Sequence, residues 1–96
     1  MRDRIPTIIE KSGRRCHVHA LDDTEYLLEL KKKLAEEVDE FLEETNLEEL
    51  ADIVEVIYTL AKAIGNDVKQ LDVLRHKKNS ERGSFEQKLF IESIDN

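Results

Sequence analysis

Glu36-Glu37-Val38-Asp39-Glu40 and, after a short break, Glu49-Leu50-Ala51-Asp52-Ile53-Val54-Glu55 decide how this chain is read. Each half holds a pair of acids three residues apart, Glu37 with Glu40 and Glu49 with Asp52, and residues so spaced share one face of a helix. Between them Thr45-Asn46-Leu47-Glu48 has the pattern of a capping box, in which Thr45 and Glu48 satisfy each other's free amides at a helix start. If the chain reverses there, Glu40 comes level with Glu49 and Glu37 with Asp52. Four carboxylates then converge on one small volume. Like charges disfavour one another's ionised form, and a hard divalent cation held by oxygens, Mg²⁺ or Mn²⁺, resolves the conflict.

The competing reading is a set of solvated helix charges. With 22 acidic residues among 96, spacing alone does not choose between the two. The helical wheel does. At about 100° per residue with Asp52 at zero, Glu49 falls at about +60°, between Val56 at about +40° and Leu60 at about +80°. An acid inside an apolar stripe is costly unless something pairs with it. Glu37 stands at the margin of the Leu30/Leu34/Phe41 stripe, while Glu40 and Asp52 lie farther out, where a site could open to solvent.

At 96 residues the chain is expected to form a single domain, residues 1–96, with one modest core. A net charge of −7 and no Trp argue against a nucleic-acid partner, which would call for a basic face. The lone Cys16 has no partner for an internal disulfide and no ligand spacing around it, so a reducing, cytoplasmic setting is expected. No apolar run approaches the roughly 20 residues needed to cross a bilayer, and the N-terminus lacks the apolar core of a signal peptide. No membrane partner is expected.

The remaining segments read as follows. Residues 1–12 place Pro6 in the first turn of a short helix carrying Ile5, Ile8 and Ile9, ended by Gly13. In 14–21, Cys16, Val18 and Ala20 alternate with Arg15, His17 and His19. That period of two suggests a short strand, whose one available partner is the extended segment 85–91. His17 and His19 lack a third metal ligand and are expected at the surface. A helix capped by Asp22-Asp23 is expected to run to about Glu44, with Leu27, Leu30, Leu34, Val38 and Phe41 in a narrow stripe. On it Lys33 could reach Glu37 or a bound phosphate. A second helix, from about Leu47 to Ile64, is apolar over more than half its circumference. One neighbouring helix cannot cover so wide an arc, so self-association is expected. Glu55 extends its acidic row. After Gly65, Asp67 to Gln70 cap a third helix that ends in Arg75-His76-Lys77-Lys78-Asn79-Ser80. Those cations either complement the helix dipole or face the acidic site as an anion clamp. The expected fold is thus all-α: an antiparallel hairpin and a third helix in an oligomeric bundle, with a two-stranded β element pairing 14–21 with 85–91.

A carboxylate-held cation beside Lys and Arg suits a polyphosphate substrate. No phosphate-cradling Gly-rich loop is present, and no nucleophilic triad is legible. Hydrolysis by a metal-activated water is therefore the reaction class expected of an enzyme here.

The pattern Glu36-Glu37-x-x-Glu40 followed by Glu49-x-x-Asp52 resembles the motif of the all-α nucleoside triphosphate pyrophosphohydrolases. That superfamily includes MazG-like enzymes, dimeric dUTPases and phosphoribosyl-ATP pyrophosphohydrolase. The likeness is closest to the small MazG-like and phosphoribosyl-ATP-pyrophosphohydrolase-like proteins, through Arg2-Asp3-Arg4-Ile5-Pro6 at one end and Arg82-Gly83-Ser84-Phe85 at the other. It covers nearly the whole chain. It implies Mg²⁺-dependent conversion of a nucleoside triphosphate to the monophosphate and pyrophosphate, as nucleotide-pool house-cleaning, in a homodimer or homotetramer. Carried over by position, Glu37, Glu40, Glu49 and Asp52 would be metal ligands and Glu36 a supporting or water-activating carboxylate. Lys78 and Arg82 would hold phosphate, with Lys33, Arg4 and Asn79 behind them. Two departures bear on selectivity: the gap between the acidic pairs is short, and Ser84 stands where a second glycine is common. The alternatives are phosphoribosyl-ATP hydrolysis in histidine biosynthesis and a non-catalytic helical oligomerisation or regulatory module.

Overall fold

A computed structural model describes residues 2–95. Four helices follow one another: α1 (Ile5–Lys11), α2 (Asp23–Glu43), α3 (Leu47–Ala63) and α4 (Val68–Arg82). The class is all-α. Pro6 sits in the first turn of α1, as its missing N–H permits. Asp22 caps α2 by accepting from the Glu25 amide at 2.8 Å. That backbone hydrogen bond holds the Asp22 carboxyl below its ordinary value.

The reversal between α2 and α3 falls where the sequence places it, but its cap is a different residue. Asn46, not Thr45, is the N-cap of α3, accepting from the Glu49 amide at 2.9 Å. The Thr45 hydroxyl instead donates back to the Phe41 carbonyl at 3.3 Å. Either residue type can cap; starting α3 one residue later spends Thr45 on closing α2. At the other end of α3, Gly65 takes φ +92° and the Asn66 amide reaches the Ala61 carbonyl at 2.9 Å. This closure needs a left-handed residue. Asp67 and Gln70 then form a true capping box on α4, with bonds of 2.7 and 2.8 Å.

The α2–α3 hairpin is the heart of the fold. Its seam on α2 is Leu27, Leu30, Leu34 and Phe41, all half-buried, with Glu37 buried among them. These positions step by three and four without a gap, so Glu37 occupies the place of an apolar residue in a heptad. Val38, expected in the stripe, lies at its exposed edge instead. On α3 the steps Glu49, Ile53, Val56 and Leu60 repeat the pattern.

Helix α4 contacts α3 alone among the helices. Its half-buried residues are Val68, Leu71 and Asp72, and everything from Val73 onward is exposed. The helix therefore leaves α3 after its first turns. The molecule measures 62 × 31 × 23 Å with a radius of gyration of 18.1 Å, where a compact chain of this length would have about 12.5 Å. Val56 and Ala61 are the only buried apolar residues among those described, and neither is completely shielded from solvent.

The expected β element is absent among the described residues. Residues 14–21 carry no regular secondary structure, and 85–91 is broken by a turn in which the Lys88 amide bonds the Phe85 carbonyl at 3.4 Å and Lys88 takes φ 60°. A lone two-stranded ribbon is marginal in water.

Candidate metal centre

Glu37 on α2 and Glu49 and Asp52 on α3 each offer a carboxylate oxygen, all within 4.8 Å of one another. The heptad seam explains the convergence. Two successive core positions of facing helices carry glutamates, and Asp52 follows Glu49 by one turn on the open side.

Glu37 is 7% exposed. One of its oxygens receives the Lys33 ammonium at 3.3 Å; the other, Oε2, is buried without any hydrogen-bond partner, as is Oε2 of Glu49. A buried carboxylate oxygen left unpaired costs kilocalories, and a cation held between these two would relieve both. Asp52 is held by Arg2, whose guanidinium donates to Oδ1 at 2.6 Å. All the donors are hard oxygens, which suits Mg²⁺ or Mn²⁺.

Glu40 stands beside this trio rather than within it, and is exposed. The charge of Glu37 raises its pKa first of all. Desolvation, the hydrogen bond that a protonated Glu40 could donate to Glu37, and the charge of Glu49 add to the rise, and Lys33 partly opposes it. Lys33 itself is pulled down by desolvation, but its hydrogen bonds to Glu37 and Glu36 and the charges behind them together leave it raised. It is therefore a neutralising partner of the acids, 3.4 Å from Glu36. Glu36 is exposed on the flank of α2, and Glu55 is exposed on α3.

The phosphate candidates are placed less tightly. Lys78, Asn79 and Arg82 stand exposed on the part of α4 that has left α3. Arg4 is the N-cap residue of α1. Among the described residues neither Arg4, Lys78 nor Arg82 pairs with an acid of the cluster. Two shallow concavities lie elsewhere, about 380 Å³ along α4 around Val73 and Leu74, and about 220 Å³ around Gly83 and Phe85. Sequence reasoning takes Arg2 as a solvated residue or a phosphate contact and does not place it beside the acidic cluster. Arg2 belongs to the N-terminal Arg-Asp-Arg-Ile-Pro stretch, and fifty positions separate it from Asp52, too far for any periodicity to link them. His17 and His19 are exposed, as expected, and Cys16 is a half-buried free thiol. No helix among the described residues is long and apolar enough to cross a membrane.

No protein-family model matches the chain, and neither does any curated protein or any solved structure.

Proposed function

We propose that this chain is a Mg²⁺-dependent nucleoside triphosphate pyrophosphohydrolase of the MazG-like, all-α type, cleaving a triphosphate to the monophosphate and pyrophosphate. The observation that carries the reading is the pair of buried, unpartnered oxygens on Glu37 and Glu49 beside Asp52. In a chain without a cation to receive them, both positions would be far more stable as leucine.

Glu37, Glu49 and Asp52 hold the cation, with Glu40 closing the set from the solvent side. When bound, Mg²⁺ (or Mn²⁺ in its place) offsets polyphosphate charge and acidifies water. Glu36, one position before Glu37 and paired with Lys33, is the carboxylate available to accept a proton from an attacking water. Lys33 meets the phosphates at the cluster's edge. Lys78, Asn79 and Arg82, with Arg4, supply the remaining positive charge and hydrogen bonds. The active form is a homodimer or homotetramer. The chain exposes 9071 Å², against about 5,700 Å² for a compact monomer of its mass. A cytoplasmic setting suits the lone free thiol of Cys16.

The test is pyrophosphate release from a panel of nucleoside triphosphates and phosphoribosyl-ATP, with and without Mg²⁺. Mg²⁺-dependent release from one or more triphosphates is expected. Release confined to phosphoribosyl-ATP would move the assignment to histidine biosynthesis, and none from any substrate would leave a non-catalytic helical module.

A further inference from the structure

The segment after α4 is the least explained part of the molecule. Phe85, Leu89 and Phe90 are 98%, 84% and 89% exposed, and Ile91 and Ile94 are close behind. Five large apolar side chains within ten residues stand in water, on backbone with no helix or strand to pair it. Isolated exposed apolar residues are ordinary, but a contiguous run of this size marks a contact surface.

A matching surface lies on α3. Its seam toward α2 is Ile53, Val56 and Leu60, but Leu47, Leu50 and Val54 form a second stripe with steps of three and four. At about 100° per residue that stripe is centred roughly 100–130° from the seam. All three are exposed, as is Leu42 near the end of α2. Helix α4 meets α3, and its half-buried residues Val68, Leu71 and Asp72 all lie in its first turns.

We infer that the C-terminal arm, residues 84–95, packs on the Leu47/Leu50/Val54 stripe of a second copy of this chain. The area supports a second copy as occupant. The surface excess over a compact monomer is about 3,400 Å², several times the roughly 800 Å² that each partner of a standard interface buries. The direction of α4 supports it as well. The helix carries the arm's root about 21 Å from the α3–α4 turn at 1.5 Å per residue, and does so away from its own α3. Beyond the turn at Phe85–Lys88, residues 89–95 can reach roughly 23–25 Å, close to the roughly 25 Å of α3. One arm can therefore run the length of a neighbour's uncovered stripe. This inference does not depend on catalysis, and survives if the triphosphate panel is negative.

The test uses the full chain with Phe90→benzoylphenylalanine, prepared as an equimolar mixture of ¹⁴N and ¹⁵N protein, equilibrated and then irradiated. Mass spectrometry should find cross-links from position 90 to the 42–54 region, about half of them joining chains of different isotope. Links that are all of one isotope would put the arm on its own chain and overturn the proposal. So would links elsewhere, or none. In parallel, Phe90→Asp should raise the dissociation constant of the assembly, read by light scattering over a dilution series, at least 30-fold, while Phe90→Leu stays within about 3-fold. A Phe90→Asp protein that associates like the parent, or a parent that is monomeric at low micromolar concentration, would refute it.

Discussion

Glu49→Gln separates a metal site from a merely tolerated acidic cluster, because the two readings predict different signs. The change keeps the side chain's shape and removes one charge from the seam. Carboxylate oxygens of Glu37, Glu49 and Asp52 lie within 4.8 Å of one another. At that separation two full charges repel by about 3.5 kcal/mol at an effective dielectric of about 20. Glu49 has two such neighbours, and Lys33 and Arg2 stand against them. After that offset and solvent screening, the metal-free variant should gain ~1 kcal/mol over the parent, or roughly 4–8 °C in melting temperature for a chain of this size. With Mg²⁺ the order reverses. At a concentration 100 times Kd the parent gains about 2.7 kcal/mol. Losing one anionic ligand should weaken binding by about 100-fold, leaving the variant about 0.4 kcal/mol from the same Mg²⁺. The assay is thermal unfolding in EDTA and in Mg²⁺ at one fixed protein concentration, since association makes melting concentration-dependent. A variant that melts below the parent in EDTA, or keeps the full Mg²⁺ shift, would refute the reasoning. Pyrophosphate release, if the parent shows it, should disappear in the same variant.

Two further changes probe the same hairpin. Glu40 has a folded-state pKa raised above 4.5, chiefly by the charge of Glu37, so its ionised form counts against the metal-free fold. As pH falls from neutrality through that raised value the native chain binds the proton first, and stability rises until the pH reaches the unfolded chain's ordinary value. Melting in EDTA from pH 7 to pH 4 should therefore show a stabilising contribution that Glu40→Gln lacks; identical pH profiles would exclude it. Asn46→Ala should cost about 1 kcal/mol through loss of the α3 cap, and Thr45→Ala less than half of that. The reverse order in denaturant titrations would return the cap to Thr45.

Local pattern carried the helices well. The reversal, the acidic pairs and the wide apolar arc of α3 all follow from spacing, because helix periodicity is a property of neighbouring residues. The placement of Glu37 was only half legible. Its sequence neighbours suggest the margin of a stripe, and only the strict alternation of threes and fours through Leu27, Leu30, Leu34 and Phe41 puts it in the seam while Val38 stays at the edge. The β pairing failed for a related reason. Alternation in 14–21 is a local signal, whereas a strand exists only when a distant segment comes to meet it, and the turn at Phe85–Lys88 prevents that.

By itself, then, the amino-acid order determined that this would be an all-α chain whose two long helices bring acids toward a common turn. Tertiary structure decided which acids converge. It grouped Glu37, Glu49 and Asp52, left Glu40 alongside, brought Arg2 onto Asp52 from fifty positions away, and carried the basic end of α4 away from α3. The physical reason is that convergence depends on how far each helix is rotated about its own axis when it packs. That rotation is set by the fit of side chains across the seam, which no count along the chain contains.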